Sequence, residues 1–163
     1  MKKIIGKRIK DSYETLRINS RIDEMDKYIH HGNCSTLRHC FGVAYLSIYL
    51  CEKLRINPNY DILAKSAIIH DYYLYDWHEK EKWHSLHGFK HPKFALKNAK
   101  DDFSLNEREI DAIKNHMFPL VPFLPKYKEG RILCLADKIC ALYEIFKRNP
   151  YEDINNYIKK EMN

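Results

Sequence analysis

Apolar residues recur at helical spacing along most of the chain, and no segment shows the strict alternation of apolar and polar residues that is typical of a half-buried strand. Residues from about 7 to 30 are predicted to form one or two amphipathic helices, with Tyr13, Leu16 and Ile22 among their apolar positions. The polar sequence at 30–33 interrupts this pattern. The opening segment therefore favours helices rather than strands.

A second helix is predicted to end near Leu54, and either Ser35 or Thr36 can cap its beginning. Its apolar positions include Leu37, Phe41, Ala44, Tyr45 and Ile48. A break at 56–59 separates it from a third predicted helix over about 61–72. That helix ends in an apolar run followed by His70 and Asp71.

The second half of the chain has the same helical character after a polar and aromatic loop at about 73–90. A fourth helix is predicted to open with Pro92 in its first turn and to end near residue 100. Asn106 and Glu109 have the spacing of a capping box, which predicts a fifth helix ending at His116. Prolines 119, 122 and 125 mark a stiff loop. A long apolar helix over 128–146 and a weaker amphipathic helix complete an all-α prediction.

Composition supports this fold class. The 163 residues suit one domain, 1–163, in which the segment of about 34–147 carries the chemistry and the terminal helices pack on it. The chain has only 5 glycines and 6 prolines, which is less turn punctuation than a many-stranded β-fold needs. The 5 cysteines form no CxxC motif and leave an odd count, which favours reduced thiols. Without a signal-peptide or membrane-length apolar run, the sequence predicts a soluble cytoplasmic protein.

The net charge of +6 favours anionic partners. Lys and Arg are spread along the chain without a block of like charges, and this pattern disfavours nucleic acid as the partner. A small phosphorylated molecule is the expected partner. The oligomeric state is left open.

Histidine and aspartate residues fall on the predicted helices in a regular order. The second helix carries His39, the third ends in His70-Asp71, the fourth opens with His91, the fifth closes with His116, and the sixth carries Asp137. Imidazole and carboxylate groups suit a divalent transition metal. Helical bundles build such sites in their cores from facing helices.

Asp137 interrupts an otherwise apolar stretch of the sixth helix. An unpaired carboxylate at such a buried position would cost several kcal/mol. Metal coordination removes this cost, and so does a buried salt bridge. The alternative partners for Asp137 are Arg38, Arg131 and Lys138, and this alternative stays open. Likewise, His39, His91 and His116 taken singly are compatible with purely structural roles.

The ordered set His, His-Asp, His, His, Asp resembles the HD-domain superfamily of metal-dependent phosphohydrolases, over about residues 34–147. The local contexts agree, including the apolar run before His70-Asp71 and the Leu-Ala-Asp-Lys sequence around Asp137. The chain has no GYP triplet, which disfavours the branch that hydrolyses cyclic di-GMP. The resemblance implies a compact helical bundle with a metal site in its core.

The resemblance also implies a binuclear centre of divalent ions, for which manganese, iron, cobalt, nickel and magnesium are all compatible. One ion would be held by His39, His70, Asp71 and Asp137. The second would be held by His91 and His116, with Asp71 bridging the two. The expected reaction is hydrolysis of a phosphate ester or anhydride, preferably of a small nucleotide, by a metal-activated water.

Other residues receive secondary roles in this hypothesis. Asp71 would orient the nucleophile, and His87 would contact a phosphate or protonate the leaving group. Cations beside the ligands in sequence could neutralise the substrate, although helical geometry lets only some of them face the site. These cations are Arg38, Lys90, Lys93 and Lys138.

Several alternatives remain beside this hypothesis. A di-iron oxygenase uses similar ligands on the same fold, and a non-catalytic domain that binds a nucleotide or a partner protein is a further possibility. Surface positions are preferred for His78 and His84. The aromatic residues Tyr72, Tyr73, Tyr75 and Trp77 are compatible with stacking on a base or with a buried cluster.

Overall fold

The computed structural model describes residues 2–79 and 86–159. Its elements follow in the order α1 (Lys2–Arg17), a 3₁₀ helix (Ile22–Lys27), β1 (Ile29–His31), β2 (Cys34–Ser35), α2 (Thr36–Lys53), α3 (Tyr60–Ile69), α4 (His87–Asp102), α5 (Glu107–Asn115), α6 (Lys128–Phe146) and α7 (Glu152–Lys159). The all-α prediction is confirmed. The described residues contain one small departure from it, the antiparallel pair β1–β2.

The β1–β2 hairpin occupies the sequence that was expected only to interrupt the helices. Ile29 pairs with Ser35 and His31 with Cys34. Gly32 turns the chain at a φ of 55°, a backbone conformation that favours glycine. This short hairpin places His30 against the helices, with only 8% of its surface exposed.

Side-chain caps fix the beginnings of three helices. Ser35 accepts a hydrogen bond from the backbone N–H of Arg38 at 3.3 Å, which settles the choice between the two predicted caps of α2. Asn59 caps α3 by accepting from two backbone amides. Asn106 and Glu109 form the predicted capping box of α5. Local sequence therefore decides where these helices begin.

Two helix ends differ from the prediction. The amides of Phe89 and Lys90 donate to the carbonyl of Leu86 at 2.9 and 3.2 Å, so α4 begins at His87, about one turn before the expected start at Pro92. α3 ends at Ile69 instead of Tyr72, because the amide of Tyr73 turns back to the carbonyl of Asp71 at 2.8 Å.

The core surrounds α2, which packs against α1, α3 and α6. The predicted apolar positions Leu37, Phe41, Ala44 and Ile48 are buried, and Tyr45 is partly buried against them. Tyr13, Leu16 and Ile22 are buried on the side of the core formed by α1 and the 3₁₀ helix. All five cysteines are buried free thiols. No helix in the described residues is long and apolar enough to cross a membrane.

A close approach between α5 and α6 helps to position the site. A Cβ atom at Gly130 would lie 2.7 Å from Cβ of Pro125 and 3.2 Å from Cα of Ala112. Glycine therefore lets α6 pack directly on the backbone of α5. This contact brings the end of α5, with His116, close to the middle of α6, with Asp137.

Candidate metal centre

The six residues predicted as ligands converge in the core from five helices. His39 lies on α2, His91 on α4 and Asp137 on α6, whereas His70, Asp71 and His116 directly follow α3 and α5. All six side chains are buried. The fold thus gathers residues that are up to 98 positions apart in sequence, as between His39 and Asp137.

Asp71 lies at the centre and presents its two carboxylate oxygens to two different groups of histidines. Oδ2 lies 3.5 Å from Nε2 of His70 and 3.8 Å from Nε2 of His39. Oδ1 lies 3.1 Å from Nε2 of His91 and 3.4 Å from Nε2 of His116. This division is the geometry that a carboxylate needs in order to bridge two ions.

The ligand atoms form two adjacent positions. The first metal position is the group of His39, His70, Asp71 and Asp137. The second metal position is the group of His91, His116 and Asp71. In the first, Oδ1 of Asp137 lies 3.2 Å from Nε2 of His39 and 3.7 Å from Nε2 of His70. In the second, the Nε2 atoms of His91 and His116 face one another at 2.8 Å.

The other ring nitrogen of each histidine is already hydrogen-bonded. Nδ1 of His70 donates to the carbonyl of Ala67 at 2.8 Å, Nδ1 of His91 to that of His87 at 2.9 Å, and Nδ1 of His116 to that of Ile113 at 2.7 Å. A carbonyl oxygen only accepts, so these Nδ1 atoms carry the protons. Nε2 is then the ring atom left for a metal ion, and in all three histidines it lies on the side of Asp71, as in a metal-ligating histidine.

A cation at this site would satisfy atoms that are otherwise left without partners. Within residues 2–79 and 86–159, neither Nε2 of His70 nor Oδ1 of Asp71 has a hydrogen-bond partner, and both atoms are buried. The described residues also offer ligand groups whose donor atoms all lie within 4.8 Å of one another, among them His39–His70–Asp137 and His70–Asp71–His116. Nitrogen and carboxylate donors of this kind suit divalent transition metals. The residues therefore fit the expected metal ions.

The electrostatics of the cluster are strongly coupled. Burial raises the pKa of Asp71, but the neighbouring imidazoles of His70 and His91 hold that pKa well below its usual range. Burial lowers the pKa of His39, but the carboxylates of Glu144 and Asp137 raise that pKa to about 9. Burial, the largest influence on His116, lowers its pKa and favours the neutral form that binds metals.

The cluster contains two residues that the sequence pattern did not predict, Glu144 and His30. Glu144, buried on α6, accepts from Nδ1 of His39 at 2.6 Å and from Nδ1 of His30 at 3.0 Å. Glu144 follows Asp137 by two helical turns in the same apolar helix, so the cost of burying an unpaired carboxylate points to Glu144 as it does to Asp137. His30 had no comparable signal, because only the β1–β2 hairpin carries it to the cluster.

Among the described residues, one of the cations considered as salt-bridge partners of Asp137 lies near it, Lys138. Nζ of Lys138 lies 3.9 Å from Oδ2 of Asp137, at the limit of an ion pair. The same Nζ donates to the carbonyl of His116 at 2.8 Å, which ties α6 to the end of α5. Arg131 instead donates to the carbonyl of Pro125 at 2.9 Å.

A cavity of about 660 Å³ opens onto the centre, a volume suited to a small ligand. Its walls include Asp71, His91 and Asp137, together with side chains from the loop before α4 and from α6. Of the four cations predicted to contact substrate, only Lys138 is among the described residues that line it. Arg38, Lys90 and Lys93 are not among those lining residues.

His87 lines the cavity beside the second metal position. Its ring stacks on His91 with centroids 4.6 Å apart and on Trp77 at 5.1 Å. Its Nδ1 lies 2.9 Å from the hydroxyl of Tyr75. The ring is therefore held at the cavity wall, as a residue in contact with substrate needs to be.

The remaining histidines and aromatic residues divide between surface and interior. His78 is exposed and contacts Asp76, whereas His84 lies outside the described residues. Tyr72, Tyr73 and Tyr75 are buried, and of the four aromatic residues considered for stacking only Trp77 is among those that line the cavity.

The protein is an all-α bundle whose core contains buried histidine–aspartate groups that could hold a metal ion. A model of the HD-domain family matches residues 36–142, and the chain therefore belongs to the HD-domain family. This match spans α2 through most of α6 and includes all six predicted ligands. Comparisons with curated proteins and with solved structures found no significant match. HD domains typically bind divalent metals, and the family consists mostly of metal-dependent hydrolases.

Proposed function

We propose that this protein is a metal-dependent phosphohydrolase that cleaves a phosphate ester or anhydride of a small nucleotide. The observation that carries the proposal is the position of Asp71 between two groups of imidazole nitrogens. When bound, two divalent ions supply an acidified water and stabilise negative charge on phosphate oxygens. Family membership supports the same class of reaction.

The chain's own residues would divide the work. Asp71 contributes one carboxylate oxygen to each metal position, and it orients the nucleophile. His87, held by stacking at the cavity wall, contacts the phosphate or protonates the leaving group. Lys138 contributes positive charge to the wall while its Nζ remains bound to backbone carbonyls.

The shape of the cavity supports a small substrate with a flat or apolar part. Leu86, Met117 and Leu120 line it, and the ring of Trp77 adds an aromatic surface. Such walls suit a nucleobase next to the phosphate that the metal centre would bind.

The proposal is tested by metal analysis of the purified protein, followed by a panel of nucleotides and phosphoesters with several added divalent ions. Asp71→Ala is expected to lose metal and phosphate release together. Asp61→Ala, at a side chain that is 92% exposed, is the matched control and is expected to retain both.

Metal-dependent turnover retained by Asp71→Ala would contradict the proposal. Oxygen consumption by the iron-loaded protein without phosphate release would instead indicate the oxygenase reaction. Nucleotide binding without any turnover in the metal-loaded protein would indicate a non-catalytic domain.

A further inference from the structure

His30 lies in the metal cluster although the hairpin that carries it precedes the segment matched by the HD-domain model. Its Nε2 lies 3.2 Å from Oδ2 of Asp71. This is the oxygen toward which His39 and His70 also point. His30 therefore stands on the side of the first metal position.

The orientation of the His30 ring is fixed by a hydrogen bond at Nδ1, the ring nitrogen that does not face Asp71. Nδ1 of His30 donates to Oε2 of Glu144 at 3.0 Å, while Nδ1 of His39 donates to Oε1 of the same carboxylate at 2.6 Å. The two rings stack with centroids 3.7 Å apart and an interplanar angle of 19°. One buried carboxylate thus aligns two nearly parallel imidazoles, whose Nε2 atoms both face Asp71.

His30 also meets the distance requirement for a ligand. The donor atoms of His30, His39 and Asp71 all lie within 4.8 Å of one another. Only 8% of the His30 surface is exposed, and its ring forms part of the cavity wall. The ring therefore lies at the cavity wall next to the first metal position.

We propose that His30 is a fifth protein ligand at the first metal position, an inference that rests on the proposed function. The first position would then have ligands from five residues: His30, His39, His70, Asp71 and Asp137. The second would have ligands from three residues, His91, His116 and Asp71. Because open coordination sites are where water and substrate bind, substrate phosphate would bind chiefly at the second position.

Cobalt(II) titration tests the proposal, since the visible absorption of Co²⁺ becomes more intense as its coordination number falls. The wild-type protein is expected to bind two ions. His30→Ala is expected to bind the ion at the first position at least about 10-fold more weakly, because this is already the typical minimum for losing a partner behind a ligand. Its spectrum is expected to be more intense. Added imidazole is expected to restore the wild-type spectrum by occupying the vacated space.

Two further variants separate ligation from folding. His30→Gln keeps an amide donor for Glu144 but loses the imidazole, and it is expected to show the same weakening as His30→Ala. His31→Ala, at the next position, is the matched control, because His31 belongs to none of the ligand groups found among the described residues. It is expected to retain wild-type affinity and spectrum, and circular dichroism verifies the helical fold of each variant.

A Co²⁺ spectrum unchanged in both His30 variants would overturn the ligand role of His30, whatever their affinity. Failure of the proposed function is a different result. In that case the wild-type protein binds no divalent ion, or it binds ions and releases no phosphate.

Discussion

The Nδ1 atom of His39 donates to Oε1 of Glu144 at 2.6 Å, deep in the protein and 105 positions apart in sequence. This contact fixes the ring so that Nε2 faces Asp71 and Asp137. Carboxylates behind metal-ligating histidines also make those ligands more basic. Glu144 is therefore a positioning residue for the metal centre.

Glu144→Gln is expected to weaken metal binding about 10-fold to 100-fold, because an uncharged amide supports the two imidazoles less well than a carboxylate. Competition with a metal chelator measures the affinity. Glu152→Gln, at an exposed position of α7, is the control and should bind as the wild type does. Equal affinities in the two variants would show that Glu144 does not support the centre.

His91→Ala and His116→Ala are each expected to reduce the number of bound ions from two to one. Both residues point Nε2 toward Oδ1 of Asp71, whereas the first metal position retains its own ligands. Elemental analysis of the purified variants gives the stoichiometry, and phosphate release should be lost with the second ion. His78→Ala should keep two ions, and two ions in the His91 and His116 variants would contradict the assignment.

Gly130→Ala is expected to destabilise the fold by about 1–3 kcal/mol, because the added methyl group overpacks the α5–α6 contact. Its nearest neighbours, Pro125 and the backbone of Ala112, have little freedom to move. Urea denaturation measures the free energy of unfolding. Gly88→Ala is the matched control, since its Cβ would meet Leu120 at an ordinary 3.7 Å. Equal losses of unfolding free energy in Gly130→Ala and Gly88→Ala would contradict the close approach of α5 and α6.

Asp102 joins the loop after α1 to the end of α4. Its carboxylate accepts hydrogen bonds from Arg21 at 2.9 and 3.0 Å and from the hydroxyl of Tyr72 at 2.5 Å. Burial raises the pKa of Asp102, but the effect of these hydrogen bonds is larger. They hold the pKa below its ordinary value of 3.8. Asp102→Asn is expected to cost about 1 kcal/mol at neutral pH, a modest value because 45% of the Arg21 side chain is exposed.

The pH dependence of this loss follows from the lowered pKa. Ionised Asp102 stabilises the fold above its unfolded pKa, and this contribution disappears as the pH falls through the lower folded value. The difference in unfolding free energy between wild type and Asp102→Asn should therefore shrink in acid below 3.8. Asp101→Asn removes an exposed pair with Lys97 and should show little loss at any pH. If the difference in unfolding free energy between wild type and Asp102→Asn stays constant as the pH falls, the ionised carboxylate does not stabilise the fold.

The sequence by itself determined the helices and the chemistry of the ligands. Helical spacing of apolar residues, a cap at Ser35 or Thr36 and the capping box of Asn106 and Glu109 depend on neighbours within a few positions, so they are visible in one dimension. Asp137 was also visible, because a carboxylate inside an apolar helix needs a partner wherever the helix packs. The ordered histidines and aspartates then predicted the family to which the chain belongs.

Tertiary structure alone decided which side chains meet. The β1–β2 hairpin brings His30 to Asp71, and the packing of α6 brings Glu144 behind both His30 and His39. The fold also leaves Lys138 as the one predicted substrate cation among the described cavity-lining residues. Such contacts depend on the crossing of elements far apart in the chain, which local propensity and periodicity do not encode.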